Sequence, residues 1–201
     1  MREYYEDLWE RLPDERELPD LQRRMRFLRG ELRGGERVLD LGCGAGEFTA
    51  AIAAGGAEPV GLEVAEAAVA LACRLHPDLD FRLAGIDQEL PLGDESFDVV
   101  WASEVIEHVA DTGLWLREIR RVLVPGGRLL LTTPSHGRLR LLLGGIERYS
   151  EPLGDHLHLY TRRSLRAVLD AFDFADARVR IVGGPPLLKR MLLARAIKPS
   201  V

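Results

Sequence analysis

Residues 38–48 read VLDLGCGAGEF, and the fold turns on them. Val38 to Leu41 is a short run of strand type, and Gly42, Gly44 and Gly46 follow it at alternate positions. Glycine is needed where the backbone turns tightly and where a ligand approaches the main chain with no Cβ in the way. The next stretch, GEFTAAIAAGG, reads as a helix ending on glycines, so the loop feeds a helix N-terminus with free N–H groups. A strand, a glycine loop and a helix in that order describe a site for a nucleotide-like ligand. Dinucleotide loops read G-x-G-x-x-G. Here the spacing is G-x-G-x-G, and Glu47 stands where the third glycine of that pattern falls. A negative side chain there crowds a pyrophosphate but is tolerable beside a cationic ligand.

Outward from this loop the chain alternates between strand and helix. AEPVGLE predicts a second strand and AEAAVALACRL a second helix; DLDFRLAG predicts a third strand. SFDVVWAS, almost continuously apolar, suits a central parallel strand covered on both faces. DTGLWLREIRRVL predicts a helix capped by Asp111, and GGRLLLTTP a fifth strand. Such alternation implies right-handed crossovers and a doubly wound parallel sheet. Upstream, the first 33 residues read as helix broken near Pro13 and Pro19, with Leu21, Met25, Leu28 and Leu32 on one face. Downstream, residues 135–160 break the alternation and follow the carboxyl end of the fifth strand, the edge where open α/β sheets bind ligands. TRRSLRAVLDAF then predicts a helix capped by Thr161. ADARVRIVGG and PLLKRMLLARA predict two strands joined through Gly183-Gly184-Pro185-Pro186 as an antiparallel hairpin.

At 201 residues the chain suits one α/β domain: a helical cap at 1–33, a ligand-binding core at 36–134, an insertion at 135–160, and a terminal helix and hairpin at 161–201. A formal net charge of −5 argues against a nucleic-acid binder driven by bulk positive charge. Six basic residues and no acidic one lie between Arg178 and Val201, which reads as a solvated basic edge or as an attraction for an anionic partner. Cys43 and Cys73 have neither metal-ligand nor disulfide spacing. The charged start MREYYEDLWERLPDE has no apolar core of signal-peptide type, and no apolar run is long enough to span a bilayer, so the expected location is the cytoplasm.

VLDLGCGAGEF resembles the nucleotide-binding loop of class I S-adenosylmethionine-dependent methyltransferases, and the likeness runs in order through residues 36–134. Within that family it is similar to the small-molecule type represented by the ubiquinone and menaquinone biosynthesis methyltransferases. The resemblance implies a Rossmann-like, doubly wound, mostly parallel sheet of seven strands, with an antiparallel C-terminal hairpin strand and helices on both faces. It also implies S-adenosylmethionine as cofactor, whose sulfonium and ammonium suit the glutamate in the loop. By the family's pattern the backbone of Gly42, Cys43, Gly44 and Gly46 cradles the cofactor. Glu63 in VGLEV, beside Val64, takes both ribose hydroxyls from the tip of the second strand. Asp87 takes the adenine amino group, with Ile86 against the adenine face. Ser103 falls beside the cofactor where the chain leaves the fourth strand. Glu107-His108 matches a recurrent pair, and His108 reads chiefly as structural.

Methyl transfer is a displacement at a sulfonium carbon, so the protein supplies position and environment, and a base only where the nucleophile arrives protonated. Base candidates are His136, Tyr149, His156, His158 and Tyr160. GDHLHLYT resembles an H-x-H-x-[FY]-T stretch of some small-molecule members, and alternate residues of an extended chain share a face, so His156 and His158 are expected to project together. They line the acceptor pocket, or they pack before the Thr161 helix. Two histidines with no local carboxylate or cysteine set are too few for a closed metal site, so no metal is expected. Tyr4, Tyr5 and Trp9 form an aromatic lid or simply pack, and either Arg23 or Arg24 meets the methionine carboxylate. A small-molecule methyl acceptor is expected, by O- or N-methylation. The segment after the fourth strand reads Ser-Glu-Val-Ile and not Asn-Pro-Pro-Tyr, which disfavours amino-methylation of nucleic-acid bases or protein glutamine. An NAD(P)-dependent oxidoreductase and a non-catalytic S-adenosylmethionine-binding protein stay open as alternatives.

Overall fold

The computed structural model describes residues 2–11, 20–85, 88–136, 156–184 and 191–200. β1 (Arg37–Leu41) lies between β2 (Glu58–Glu63) and β4 (Phe97–Ser103) and runs parallel to both. β3 (Asp80–Leu83) extends the sheet beyond β2, and β5 (Leu123–Pro134) pairs in parallel with β4. β7 (Met191–Ile197) inserts antiparallel between β5 and β6 (Ala175–Val182). The seven-stranded order is therefore β3-β2-β1-β4-β5-β7-β6. The expected doubly wound sheet and terminal antiparallel pair are both present. Pro185 and Pro186 of the expected hairpin loop lie outside the described residues, as do Pro13 and Pro19.

The helices are α1 (Arg2–Arg11), α2 (Leu21–Glu31), α3 (Glu47–Ala54), α4 (Glu66–Leu75), α5 (Thr112–Val122) and α6 (Arg162–Ala171). The continuous apolar run of β4 has a direct structural reason. Val100 and Ala102 face one core with Trp115, Leu116 and Ile119 of α5 and Leu165 and Leu169 of α6. Val99 and Trp101 face the other, with Phe27 and Leu28 of α2 and Phe48 and Ile52 of α3. From Val99 to Ala102 the strand is buried on both faces and has no position for a polar alternate. Asp111 Oδ1 accepts from Leu114 N at 2.8 Å and so starts α5. Thr161 and Ser164 form a reciprocal capping box at the start of α6. One boundary differs from the sequence reading: β5 begins at Leu123, not at the Gly126-Gly127 pair. Leu123 pairs with Phe97 and Arg128 with Val99, so the chain makes an excursion through Pro125 and the two glycines and then rejoins the ladder.

Candidate active site

The glycine loop closes the carboxyl end of β1 in a form that only glycine permits. Gly42 has φ +78° and Gly46 φ +87°, in the left-handed region. A Cβ on Gly42 would lie 2.6 Å from Val105 Cγ2, and one on Gly46 would lie 2.6 Å from Phe81 Cζ. Gly42 N and Cys43 N donate to Leu62 O at 2.8 and 3.0 Å, which ties the loop to the end of β2. Below it, Asp40 is buried and accepts from Thr49 Oγ1 at 2.6 Å. Burial pushes the Asp40 carboxyl up to about 7 against the opposing Thr49 bond. Burial also pushes the Cys43 thiol up, so it is a packing group and not a nucleophile.

Glu63, at the tip of β2, is 6% exposed and faces this loop. Its Oε2 accepts from Gly44 N at 3.0 Å, and its Oε1 from Val64 N at 2.7 Å and Ala65 N at 3.2 Å. The carboxylate thus joins the glycine loop to the turn that starts α4. That same turn is capped from α1, where Glu6 accepts from Glu66 N at 2.7 Å and Ala67 N at 2.9 Å. Ile86 and Asp87 lie outside the described residues. The segment just after them is clamped from α5: Leu90 N donates to Glu118 Oε2 at 2.8 Å, and Arg121 donates to Leu90 O and Leu92 O at 3.0 and 2.8 Å.

At the end of β4 the structure separates the two arginines. Arg23 pairs with Asp20 at the surface. Arg24 is buried, donates from Nη1 to Ser103 Oγ at 3.0 Å, and lies 5.4 Å from the centre of the Phe48 ring. Burial lowers its pKa, opposed first by Glu104. Ser103 Oγ lies 3.0 Å from Thr132 Oγ1, which donates to Glu104 Oε1 at 2.7 Å. Burial raises the Glu104 carboxyl, while the Thr132 hydroxyl and Arg24 pull the other way.

Beyond Ser103, the turn carrying Glu107, His108 and Val109 gathers the downstream segment. Leu157 N and His158 N both donate to Glu107 O, at 2.8 and 3.1 Å. The rings of His108 and His156 stand 4.5 Å apart, edge to face, and Tyr5 of α1 stands 5.8 Å from His108. The Glu107 carboxylate is fully buried; Thr133 Oγ1 donates to its Oε2 at 2.9 Å, and its Oε1 lies 3.9 Å from His108 Nε2. His158 Nε2 lies 3.0 Å from Val109 O. His156 and His158 therefore reach the same turn but end on different partners. His136 is buried at the end of β5, its N–H on Tyr160 O at 2.8 Å. Burial raises the Tyr160 hydroxyl, against a bond with Thr112. Tyr149 lies outside the described residues. Glu107 is what the sequence reading missed as a site group: the Glu-His pair was visible, but its proximity to His156 depends on tertiary folding. One ligand-type atom from each of Glu107, His108 and His156 lies within 4.8 Å of the others, so the histidines do have a carboxylate beside them.

A sheet of this order, a glycine cradle after β1, and an acid at the tip of β2 bonded to that cradle define a class I methyltransferase fold of the Rossmann-like kind. The sequence profile of the methyltransferase domain family matches residues 5–179. A ubiquinone biosynthesis O-methyltransferase of Hahella chejuensis is 38% identical over 170 residues, covering 79% of this chain and 71% of that protein. One of Bradyrhizobium diazoefficiens is 37% identical over 105 residues, but the match covers 50% of this chain and 40% of that protein. The crystal structure of an S-adenosylmethionine-dependent methyltransferase from Mesorhizobium loti superposes with a TM-score of 0.70 at 25% identity, covering 85% of this chain and 95% of that one. The chain belongs to the methyltransferase domain family. No helix among its described residues is long and apolar enough to cross a membrane.

Proposed function

We propose that this protein transfers the methyl group of S-adenosylmethionine to a hydroxyl oxygen of a small-molecule acceptor. The observation that carries the reading is Glu63, held at the β2 tip by Gly44 N, Val64 N and Ala65 N. A carboxylate fixed at the tip of the second strand, beside a glycine loop that leads into a helix, stands where doubly wound sheets take a ribose hydroxyl. Gly42, Cys43, Gly44 and Gly46 form the cradle, with Val64 beside it. Ile86 and Asp87 take the adenine, and Ser103 with Arg24 takes the amino-acid end. Arg24 suits the methionine carboxylate because it is the buried cation beside Ser103. Among the surrounding acids, Glu47, Glu63 and Glu104 suit a ligand bearing a sulfonium and an ammonium.

The cofactor supplies an electrophilic methyl on sulfur. The chain's own residues orient it and place the acceptor oxygen in line, which lowers the barrier chiefly by positioning. With that group bound, the acceptor oxygen would bond to the methyl carbon as its proton passed to a histidine of this chain, and the electron pair of the broken C–S bond would stay on sulfur. Glu107, His108, His156 and Tyr5 form the acceptor side. His156 is the better candidate there, because its ring stands 4.5 Å from that of His108 on the turn that follows β4. The O-methyltransferase names of the relatives favour oxygen over nitrogen as the acceptor atom. We place the reaction in the cytoplasm, which suits the free thiols of Cys43 and Cys73.

The test is to incubate the protein with S-adenosylmethionine labelled in its methyl group and a cell extract, then separate small molecules from macromolecules. Label in the small-molecule fraction is expected. Label confined to protein or nucleic acid overturns the acceptor class. Tight cofactor binding without any transfer to any fraction makes the chain a non-catalytic binder.

A further inference from the structure

We propose that the outer edge of β6 is a docking surface for an acidic, extended segment of a partner protein. β6 (Ala175–Val182) ends the sheet, and among the described residues no strand pairs with it on its outer side. An edge strand presents unpaired N–H and C=O groups, the template onto which another chain adds as a further strand. Beside it lies a groove of about 1170 Å³, lined by β6, by α6, and by Phe27 and Glu31 of α2.

Charge selects the occupant. Six arginines line the groove, Arg162, Arg163, Arg166, Arg178, Arg180 and Arg195, in a chain whose formal net charge is −5. Three acids stand against them: Asp170 pairs with Arg166, Glu31 with Arg195, and Asp176 with both Arg178 and Arg195. Arg162, Arg163 and Arg180 are exposed and have no carboxylate partner among the described residues; Arg180 lies 6.0 Å from the centre of the Phe27 ring. Scattered charges are the ordinary protection of a sheet edge. Here they are concentrated: Arg178 stands directly opposite Arg195 across the β6–β7 ladder, and like charges so placed destabilise a sheet. An anionic segment on this side offsets that cost.

The register also sets the pattern of the partner. Arg178 and Arg180 are alternate residues of one strand and share a face, while Ala177, Val179 and Ile181 turn to the core that holds Leu165 and Leu169 of α6. An added strand with Asp or Glu at every second position sets its carboxylates beside Arg178 and Arg180. A second copy of this chain is disfavoured by the same rule, because self-pairing of β6 sets arginine against arginine. A nucleic acid would use the arginines and leave the strand edge unpaired. The surface stands or falls separately from the methyl-transfer reading.

The test is calorimetric titration of the full chain with a capped octapeptide of alternating Glu and Thr, followed by amide hydrogen exchange on the complex. A Lys–Thr octapeptide and a single-stranded oligonucleotide are titrated beside it. One site for the Glu–Thr peptide, none for the Lys–Thr peptide, and slowed exchange in residues 175–182 are expected. Arg178→Glu combined with Arg180→Glu should weaken peptide binding by about 10-fold or more. Arg180→Ala alone breaks no ion pair; it should weaken binding by about 3-fold and unfold at the parent's temperature, which separates loss of the surface from loss of the fold. No binding of the Glu–Thr peptide overturns the proposal, and so does peptide affinity unchanged in both variants. Oligonucleotide binding that leaves exchange in 175–182 unaltered, with no peptide bound, overturns it in favour of a nucleic-acid surface. Exchange in 175–182 that slows with protein concentration alone overturns it in favour of a second copy of the chain.

Discussion

The carboxyl ends of β1 and β2 and those of β4 and β5 are assembled in different ways. On the β1–β2 side the glycine loop is held through main-chain N–H groups: Glu63 bonds to those of Gly44, Val64 and Ala65, and the loop N–H groups bond to Leu62 O. On the β4–β5 side the contacts are between side chains far apart in sequence: Arg24 with Ser103, Thr133 with Glu107, His108 with His156. Main-chain geometry tolerates almost no change of residue type, because a Cβ or a φ sign decides it. Side-chain networks can be re-equipped one residue at a time. On the proposed methyl-transfer reading the first would be a rigid cofactor side and the second an adaptable acceptor side, which is what a fold needs to carry one donor and many acceptors.

The largest effect should come from breaking the rigid side. Gly42→Ala meets both a φ of +78° and a Cβ placed 2.6 Å from Val105. We expect S-adenosylhomocysteine binding to fall below detection and stability to drop by about 1–3 kcal/mol, measured by calorimetry and urea unfolding. Gly126→Ala is the control: φ is +79° there, but the nearest atom is Ser200 Oγ at 3.6 Å. It should lose stability through strain alone and keep its cofactor affinity. Equal cofactor loss in both variants would mean that the crowding at Gly42 is irrelevant.

On the adaptable side, His156→Gln should lower turnover by about 100-fold or more with cofactor affinity nearly constant. Turnover unchanged on the true acceptor would reduce His156 to packing before α6.

The smallest effect sharpens the comparison beneath the loop. The Asp40 carboxyl, pushed up to about 7 by burial, sits above its ordinary value of 3.8. The folded state therefore holds a proton there that the unfolded chain has released. The stability this group contributes is complete below pH 3.8 and is lost as pH rises through 7. Asp40→Asn removes the titration. Its stability relative to the parent should rise by about 1 kcal/mol between pH 6 and pH 8, measured by urea unfolding at the two values. A constant difference would show that Asp40 is ionised in the fold throughout that range.

The same contrast explains what the sequence could and could not reveal. Gly42, Gly44, Gly46 and Glu63 were legible because a tight turn and a strand tip leave local marks within 21 residues. The two-sided burial of β4 was legible for the same reason, since it forces an unbroken apolar run. Arg24 could not be told from Arg23 because the choice depends on how α2 packs on Phe48 and Ser103. Glu107 did not stand out as a partner of His156 because nothing in either segment signals a contact across a separation of 49 residues. The start of β5 was misplaced because the Pro-Gly-Gly excursion looks like an ordinary turn, although the Leu123–Phe97 pair forms before it.

Under the proposed function, Glu63 at the tip of β2 takes the ribose of S-adenosylmethionine. Calorimetric titration of the parent and of Glu63→Ala with S-adenosylhomocysteine, and of the parent with NAD, tests it most directly. One tight site for S-adenosylhomocysteine and none for NAD is expected. Glu63→Ala should weaken that binding by about 1.5–3 kcal/mol, roughly 10- to 150-fold in dissociation constant. An unchanged constant in Glu63→Ala, or saturable binding of NAD in place of S-adenosylhomocysteine, would contradict it.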